Sequence, residues 1–354
     1  MSIFERLELA VTRLLFRLPK AMLVALSGRR PVVIDGLTLD PEMQFLIAAR
    51  EFRGGRPLHE GTPPEARMRM RDEAVRYSLP PLSLHVRDFE IPGPGGSLRA
   101  RHYAPLEGGA NAPLLVFFHG GAFVTGDLDS HDEPCRILCH EGASHVLAID
   151  YRLAPEHPFP AAIDDAFAAL SWALAHAAEL GADPRRVGVG GDSAGGNLAA
   201  AVAQLGRDGG TPPAFQLLIY PATDRIGEHP SLASLADGFF LTSKDIAWGD
   251  DCYVGTAKEL RRDPRISPLL AKDLSGLCRA MTFTAGFDPL RDEGEAYAEA
   301  LARAGCESSH RRFPGMIHGF LNMGGVSPAA RAAVLDIALA LRDLARADRA
   351  REAA

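Results

Sequence analysis

Ser193 lies in the stretch VGVGGDSAGGNLAAAV, where a strand-like run that ends in glycines turns at once into a helix-like run. A serine in a Gly-x-Ser-x-Gly turn has a strained backbone that exposes its hydroxyl group, and the helix behind it directs N–H groups at the same place. The glycines could also serve only to let a tight turn pack against a sheet. The motif therefore predicts a nucleophile only if a base, an acid and an oxyanion site accompany it.

A second glycine-rich turn, FFHGGAFVTGD at residues 117–127, follows a strongly apolar strand-like run upstream of Ser193. A His-Gly-Gly loop at a strand end can direct backbone N–H groups at a substrate carbonyl oxygen, which becomes negatively charged during acyl transfer. Taken alone, this loop is an ordinary strand-end turn. Two such turns, each suited to one half of an acyl-transfer site, are much rarer by chance than either one.

The residues that could activate Ser193 follow later strand-like runs. Asp288 lies in FDPLRDEGEAY, and His318 lies in FPGMIHGFLNM after the last run. A neutral imidazole can take the proton of a serine hydroxyl group, and a buried carboxylate can hold that imidazole in the required tautomer. The order serine, aspartate, histidine is that of the triad in one class of open α/β enzymes. The other acids considered are two supporting residues and one rival: Asp292, Glu293 and Asp224.

The elements that must position these residues alternate between strand-like and helix-like segments. Before about residue 92 the pattern is mainly helical, and a hairpin is expected around GPGG. The later strands are almost continuously apolar, which predicts a mostly parallel sheet covered by helices on both faces. Such sheets carry reactive groups beyond the C-terminal ends of their strands. Residues 224–264 are too long for a simple connection and predict an inserted lid or binding element.

The composition limits the partners of the protein. A net charge of −7 over 354 residues, with 23% charged and 47% hydrophobic residues, predicts a soluble protein without a nucleic-acid surface. Five cysteines without a dense pattern favour a reducing compartment, and we expect the cytoplasm. His131, Cys135 and Cys139 recur at helical spacing, which suits a core helix better than a metal site.

The N-terminal segment is amphipathic. Leu7, Val11, Leu14, Leu15 and Leu18 form one apolar stripe, and charged residues break the apolar run too early for a signal peptide. The sequence has no uninterrupted run of 18 apolar residues, so no transmembrane span is predicted. We expect the stripe to pack on the protein itself, with weak contact with a membrane surface as the alternative.

Five stretches in a fixed order, HGGAFVTGD, YRLAPEHPFPAA, GDSAGGNLA, DPLRDEG and HGF, resemble the hormone-sensitive-lipase-like esterases, bacterial lipolytic family IV. The resemblance covers about residues 98–323 and implies an α/β-hydrolase fold with about eight strands. It also implies a helical cap in two parts. Residues 1–92 form the first part and its lead-in, and residues 224–264 form the second, inserted in a core of residues 93–223 and 265–354.

The same resemblance assigns the catalytic roles. It makes Ser193 the nucleophile, Asp288 the acid and His318 the base of a reaction that needs no cofactor or metal ion. The cap residues that it suggests, either for an apolar substrate pocket or for packing within the cap, are Phe240, Leu241 and Trp248.

The oxyanion donors implied by the resemblance are the backbone N–H groups of Gly121, Ala122 and Ala194. Ala122 stands where the family usually has a third glycine. If the backbone at this position cannot accommodate a Cβ atom, Gly120 and Gly121 would have to donate instead.

The expected activity is hydrolysis of short- to medium-chain carboxylic esters through an acyl-enzyme on Ser193. The rate is expected to rise with pH as the imidazole of His318 loses its proton. The alternatives are an amide or acetyl hydrolase similar to arylacetamide deacetylase and, less favoured because His318 is present, a non-catalytic small-molecule receptor on the same fold. The expected partner is a small-molecule ester, and a homodimer through edge strands or the last helix is compatible with the sequence.

Overall fold

The strands of the structure, a computed structural model, form one large sheet and one short hairpin. The structure describes residues 11, 13–107, 109 and 111–353. The strands in chain order are β1 (Val33–Ile34), β2 (Leu37–Thr38), β3 (His85–Gly93), β4 (Gly96–Ala104), β5 (Ala112–Phe118), β6 (His145–Asp150), β7 (Ala182–Asp192), β8 (Phe215–Ile219), β9 (Arg279–Phe287) and β10 (Ser308–Ile317).

The order of strands across the large sheet is β10-β9-β8-β7-β5-β6-β4-β3. β3 pairs with β4 and β4 with β6 in antiparallel fashion, and all other neighbours in this sheet are parallel. The predicted mostly parallel sheet of about eight strands is therefore confirmed. The predicted hairpin is also confirmed, because Gly93 pairs with Gly96 across its turn.

Helices lie on both faces of this sheet and in the two segments that interrupt or precede it. Their bounds are α1 (Lys20–Leu26), α2 (Pro41–Phe52), α3 (Pro63–Tyr77), α4 (Asp132–Gly142), α5 (Ala161–His176), α6 (Ala194–Asp208), α7 (Pro230–Ser234), α8 (Ser243–Val254), α9 (Arg291–Arg303) and α10 (Pro328–Ala353), with short 3₁₀ turns at Lys258–Arg262, Pro268–Leu270 and Phe320–Met323.

Strand β5 shows why the central strands are apolar on both faces. Leu115 and Phe117 belong to a core cluster that includes side chains of α4 and α10. Leu114, Val116 and Phe118 point to the opposite face and join a cluster that includes α5 and α6. All seven residues of β5 are buried. A strand covered by helices on both faces cannot alternate apolar and polar residues, and this explains the continuous apolar run in the sequence.

Two segments outside the sheet are close to its loops. α7, α8 and a 3₁₀ turn occupy residues 224–264, and the chain then returns to the sheet at Arg279. The N-terminal segment contains α1, α2 and α3, but also the hairpin β1–β2, which the mainly helical pattern did not predict. All five cysteines are free. Over the part of the chain that the structure describes, no helix combines the length and apolarity needed to cross a bilayer.

The described side chains of the predicted N-terminal stripe do not form one buried face. Leu7 lies outside the described residues, and Val11 and Leu14 are 48% and 63% exposed. Leu15 and Leu18 are partly buried against the core.

Glu42 fastens the N-terminal segment to the last helix. Its carboxylate is buried and accepts hydrogen bonds from the Ser327 hydroxyl group at 2.6 Å and from the Ala329 N–H group at 2.8 Å. Ser327 in turn accepts from the N–H group of Ala330 at 3.1 Å. The first turn of a helix has N–H groups without intrahelical acceptors, so a carboxylate at this point stabilises α10.

We predict that Glu42→Ala lowers the free energy of unfolding by about 2 kcal/mol, because it leaves Ser327 and the first turn of α10 without their charged acceptor. Urea unfolding followed by circular dichroism measures the change. Glu51→Ala is the control, since Glu51 forms an ion pair with Arg29 in which both side chains are about half exposed. That variant should lose less than about 1 kcal/mol. Equal losses in the two variants would contradict the role given to Glu42.

His102 and His145 form a buried pair between β4 and β6. Their rings are nearly parallel, at 7°, with centroids 5.2 Å apart, and they meet edge to edge, since Nε2 of His102 lies 3.0 Å from Nδ1 of His145. Nε2 of His145 donates to the carbonyl oxygen of Gly109 at 2.9 Å. With that tautomer, Nδ1 of His145 accepts from His102, so every contact is satisfied when both rings are neutral. Burial, and then the charges of His145 and Arg87, lower the pKa of His102 from 6.5 to about 4.

This pair should make the fold sensitive to mild acid. Between pH 6.5 and 4 the unfolded chain binds a proton at His102 more readily than the folded chain does, so stability falls as the pH falls. We predict that wild type loses about 2–3 kcal/mol more than His102→Gln over this range, because the glutamine amide can donate to His145 but does not titrate. Urea unfolding at a series of pH values tests this, and parallel curves for the two proteins would refute it.

Candidate active site

The three predicted catalytic side chains meet at the C-terminal edge of the sheet. Ser193, Asp288 and His318 each follow directly the last residue of β7, β9 and β10 respectively. Oγ of Ser193 lies 2.9 Å from Nε2 of His318, and Nδ1 of His318 lies 2.7 Å from Oδ2 of Asp288. Asp288 is fully buried, and its other oxygen accepts from the N–H group of Leu290 at 2.8 Å. The carboxylate therefore holds the imidazole with Nε2 facing the serine hydroxyl group.

The glycines around Ser193 are required by the close approach of β5. A Cβ atom on Gly191 would lie 2.2 Å from the carbonyl oxygen of Phe118, and one on Gly195 would lie 1.9 Å from the same atom. Ser193 itself has φ 55° and ψ −117°, a conformation that L-residues rarely adopt. Its N–H group donates to the carbonyl oxygen of Ile219 at 2.9 Å, which fixes the strained turn to β8.

The loop after β5, residues 119–127, bends back through three successive residues with positive φ. These are Gly121 at 123°, Ala122 at 56° and Phe123 at 64°. Ala122 thus takes the left-handed conformation with its Cβ atom in place, and the condition under which Gly120 would replace it as a donor does not arise. Within the described chain, the N–H groups of Gly121, Ala122 and Ala194 have no acceptor.

Gly120, the alternative donor named from the sequence, is not available for an oxyanion. Its N–H group donates to Oδ1 of Asp192 at 2.8 Å. A Cβ atom at Gly120 would also lie 2.5 Å from Oδ2 of Asp192, so this approach needs glycine. Gly120 joins the loop to the turn that carries Ser193, and the free N–H groups begin one residue later.

The two peptide groups that carry the free N–H groups of the loop are fixed from their carbonyl sides. The carbonyl oxygen of Gly120 lies 2.9 Å from Nδ1 of His119. The carbonyl oxygen of Gly121 accepts from Val124 N–H at 3.0 Å, Thr125 N–H at 2.9 Å and the Thr125 hydroxyl group at 3.0 Å. The C=O and N–H bonds of a trans peptide point in opposite directions. These contacts therefore set the directions of the Gly121 and Ala122 N–H groups.

His119 is buried and acts as a donor within this loop. Its ring stacks on Tyr151 at 4.3 Å, and the Tyr151 hydroxyl group donates to the His119 carbonyl oxygen at 2.7 Å. Burial, followed by the charge of His131, lowers the pKa of His119 to about 4. The neutral ring then donates from Nδ1 to Gly120, which agrees with a role in shaping the loop.

Comparisons with known proteins agree with this geometry. Residues 115–322 match a sequence family described as having the alpha/beta hydrolase fold. The carboxylic ester hydrolase LipN of Mycobacterium tuberculosis is 47% identical over 324 residues, which cover 90% of this chain and 86% of LipN. The chain belongs to the hormone-sensitive-lipase-like family of α/β hydrolases.

Further relatives resemble this hydrolase along most of their length. An ethyl acetate hydrolase of Pseudomonas putida is 36% identical over 307 residues, covering 82% of this chain and 94% of that protein. The crystal structure of an ester hydrolase from the Lake Arreo metagenome, in complex with a bipyridine phosphonate derivative, has a TM-score of 0.83 at 41% identity. It covers 86% of this chain and 98% of the other. The predicted resemblance and fold are confirmed.

A buried polar network lies behind Ser193 in this hydrolase. Nε2 of His131 is 3.2 Å from Oδ1 of Asp192, and the Tyr220 hydroxyl group donates to Oδ2 of Asp192 at 3.3 Å. Burial alone would raise the pKa of Asp192, but His131 and the Gly120 amide outweigh burial and lower it. Nδ1 of His131 contacts the Ser130 hydroxyl group at 2.9 Å. Both ring nitrogens of His131 therefore have partners other than the cysteines of α4.

The other acids near the triad of this hydrolase have structural partners. Asp224 accepts from the N–H groups of Ile226 and Gly227 and contacts His229, so the rival acid does not reach His318. Asp292 accepts from the N–H group of Ser231 at 2.8 Å. Glu293 is buried and accepts from the N–H groups of Thr223 and Asp224, which tie α9 to the loop after β8. Burial raises the pKa of Glu293 to about 8.

The three cap residues predicted for the substrate pocket lie in different places. Phe240 is half-buried between the guanidinium group of Arg50, 4.8 Å from the ring centroid, and Gly319, the neighbour of His318. Leu241 is buried in a small cluster with side chains that follow β8 and Asp288. Trp248 is half-buried against the core cluster on the other face.

Helix α8, in the segment of residues 224–264, packs directly on the loop after β5. A Cβ atom on Gly249 would lie 2.8 Å from the Cβ atom of Ala122 and 3.2 Å from its carbonyl oxygen. One turn later, the ring of Tyr253 stacks on Phe123 at 3.9 Å. Neither Asp192 nor Gly249 was predicted from the sequence. Asp192 could have been found from the sequence, since it lies inside the GDSAG motif. Gly249 could not, because no pattern marks a single glycine within a helix far along the chain.

We predict that Gly249→Ala lowers kcat by about 10- to 100-fold, because the new Cβ atom must displace Ala122. Adding Ala122→Gly removes the atom that it meets, so the double variant should recover to within about threefold of wild type. Steady-state hydrolysis of p-nitrophenyl butyrate measures both effects. Ala247→Ser, at an exposed position of the same helix, is the control. A loss in Gly249→Ala that Ala122→Gly does not relieve would show that the contact is not the cause.

Proposed function

We propose that the protein is a serine carboxylesterase with Ser193 as nucleophile, His318 as general base and Asp288 as the acid that orients it. The observation that carries the proposal is the continuous hydrogen-bonded chain from Ser193 through His318 to the buried Asp288. An isolated serine hydroxyl group is a weak nucleophile, and an adjacent imidazole held in the correct tautomer activates it. The names of the relatives, carboxylic ester hydrolase and ethyl acetate hydrolase, support the same class of reaction.

The reaction takes place in two halves. Oγ of Ser193 attacks the ester carbonyl carbon while Nε2 of His318 takes its proton, and the imidazolium then protonates the departing alcohol. Water, deprotonated by the same nitrogen, attacks the acyl-enzyme and releases the carboxylic acid with the proton returned to Ser193. The Asp288 carboxylate stays ionised and stabilises the imidazolium in both halves.

The oxyanion of each tetrahedral intermediate is assigned to the N–H groups of Gly121, Ala122 and Ala194. Ala194 begins α6, so its N–H group belongs to a first helical turn, where no intrahelical acceptor exists. Donors that are already oriented cost no reorganisation when the negative charge develops.

We further propose short- to medium-chain esters as substrates. The support is the apolar surface that the cap brings close to the triad, since Phe240 lies beside Gly319 and Leu241 packs near Leu290. A pocket closed by side chains of a folded cap suits small acyl groups better than long ones. The amide or acetyl hydrolase is the alternative within the same chemistry.

We propose that the substrate is a free small-molecule ester and that the enzyme works in the cytoplasm. Two further predictions made from the sequence are a membrane contact of the N-terminal stripe and a homodimer. Sedimentation with and without anionic vesicles tests the first, and sedimentation equilibrium tests the second.

The proposed function is tested by the hydrolysis of p-nitrophenyl esters from acetate to palmitate. We expect the highest kcat/KM at short or medium chain length and a loss of at least about 10⁴-fold in Ser193→Ala, because the acyl-enzyme can no longer form. Ser171→Ala, at an exposed serine on α5, is the matched control and should keep full activity.

A matched pair of ester and amide, p-nitrophenyl acetate and p-nitroacetanilide, separates the proposed function from its alternative. Faster turnover of the amide would favour the amide hydrolase. Absence of activity in wild type, or equal activity in Ser193→Ala, would refute Ser193 as nucleophile and favour the receptor.

A further inference from the structure

One face of helix α3 in the N-terminal segment holds the loop after β5. Arg67, Met70 and Arg71 have the spacing i, i+3 and i+4, so they lie on the same side of the helix. All three contact residues between 124 and 127, directly after the positive-φ run. A helix from the start of the chain thus supports a loop that the sheet delivers.

Arg67 makes the central contacts. Its Nε donates to the carbonyl oxygen of Val124 at 2.8 Å, and its Nη2 donates to the carbonyl oxygen of Ala154 at 2.9 Å. The guanidinium group is also paired with the carboxylate of Glu156 at 2.5 Å. The planar fork of arginine therefore joins α3, the loop after β5 and the loop after β6 through one side chain.

The neighbouring residues of α3 strengthen the same attachment. Arg71 donates from Nε to Oδ2 of Asp127 at 2.6 Å. The other oxygen of Asp127 accepts from the N–H groups of Asp129 and Ser130 at 3.0 and 2.7 Å. Sδ of Met70 lies 3.0 Å from the hydroxyl oxygen of Thr125. The end of the loop is thus fixed to the helix at three successive points.

The attachment of α3 to the loop after β5 affects the orientation of the N–H groups proposed as oxyanion donors. It acts through the Gly121 carbonyl group. Among the residues that the structure describes, that oxygen accepts only from the turn at Val124 and Thr125, so the turn determines the orientation of the Gly121–Ala122 peptide group. The N–H group of Ala122 lies on the opposite side of the same peptide. A displaced turn would rotate this N–H group away from the position that the reaction needs.

The backbone itself opposes this arrangement. Ala122 and Phe123 have φ of 56° and 64°, and two successive non-glycine residues in this region are strained. Such a conformation persists only where surrounding contacts hold it. Tyr253 and Gly249 press on one side of the loop, and α3 supplies the polar contacts that hold its far end.

We infer that Arg67 is a positioning residue for ester hydrolysis. From the N-terminal segment it holds the loop after β5, residues 119–127 (the oxyanion loop), in the conformation in which the N–H groups of Gly121 and Ala122 can donate. The inference rests on the proposed function, because it assigns a role within the same reaction. It makes α3 a support of the catalytic machinery as well as a covering element.

The test compares Arg67→Ala and Arg67→Lys with Arg69→Ala. Arg69 lies on the same helix, but its Nη2 donates to the carbonyl oxygens of Pro57 and Glu60 within the N-terminal segment. We expect kcat for p-nitrophenyl butyrate to fall about 10- to 100-fold in both Arg67 variants, with KM changed less than about threefold, because oxyanion contacts form only in the transition state. Lysine cannot donate to both carbonyl oxygens in the geometry of the guanidinium group, so it should rescue little.

A second readout separates positioning from folding. The inhibition constant of a trifluoromethyl ketone, whose adduct with the serine carries an oxyanion, should rise in the Arg67 variants by about the factor lost in kcat/KM. Thermal unfolding shows whether each variant is folded at the assay temperature. If Arg67→Ala does not fold, the test uses Arg67→Lys alone, which keeps the charge and the aliphatic stem.

The possible results distinguish a failure of the role given to Arg67 from a failure of the proposed function. A folded Arg67→Lys with the kcat and inhibition constant of wild type would overturn the inference and leave the proposed function intact. A loss equal to that in Arg69→Ala would overturn it as well, since any disturbance of α3 would then suffice. An inactive wild type, or an active Ser193→Ala, would refute the proposed function and the inference with it.

Discussion

The orientation of the Gly121–Ala122 peptide group is the constraint on which the site depends. Its N–H group must face the reacting carbonyl group, and this requires positive φ at three successive residues, two of them not glycine. Each such non-glycine residue costs of order 1–3 kcal/mol. The hydrogen bonds to the Gly121 carbonyl group, the Gly120 contact with Asp192 and the stacking of Phe123 on Tyr253 offset this cost from three sides.

The parallel sheet gathers the catalytic groups because its strands end at one edge. β5, β7, β9 and β10 deliver the groups proposed as the oxyanion loop, the nucleophile, the acid and the base. β5 and β7 are direct neighbours, as are β9 and β10, and β8 lies between the two pairs. Asp288 and His318 come from the adjacent strands β9 and β10, and their loops extend across the end of β8 to reach Ser193. Tyr220, which follows β8, packs at 4.6 Å from the His318 ring and fills the space between these loops.

The buried polar groups behind the site link its two halves. Asp192 binds the Gly120 amide on one side and Tyr220 on the other, and Nε2 of His131 lies 3.2 Å from its Oδ1. A buried carboxylate is stable only with such partners. One residue of the nucleophile turn therefore contacts the oxyanion loop, and through Tyr220 the packing around the base. α8 and the N-terminal segment add further support, because they contact the loop on its other faces.

The fold class could be predicted from the sequence, and so could the candidate triad and the glycine-rich loop after β5, since these depend on local motifs and on the periodicity of strands and helices. The apolar run of β5 and the glycines beside Ser193 are examples, because each reflects a strict local requirement. The tertiary structure alone decided that the Gly120 amide is taken by Asp192, that Ala122 adopts its left-handed backbone, and that Gly249 leaves room for its Cβ atom. The two close approaches could not be predicted because they are contacts between residues distant in the chain, which leave no periodic or local pattern. The backbone of Ala122 could not be predicted because a left-handed alanine persists only where surrounding contacts hold it.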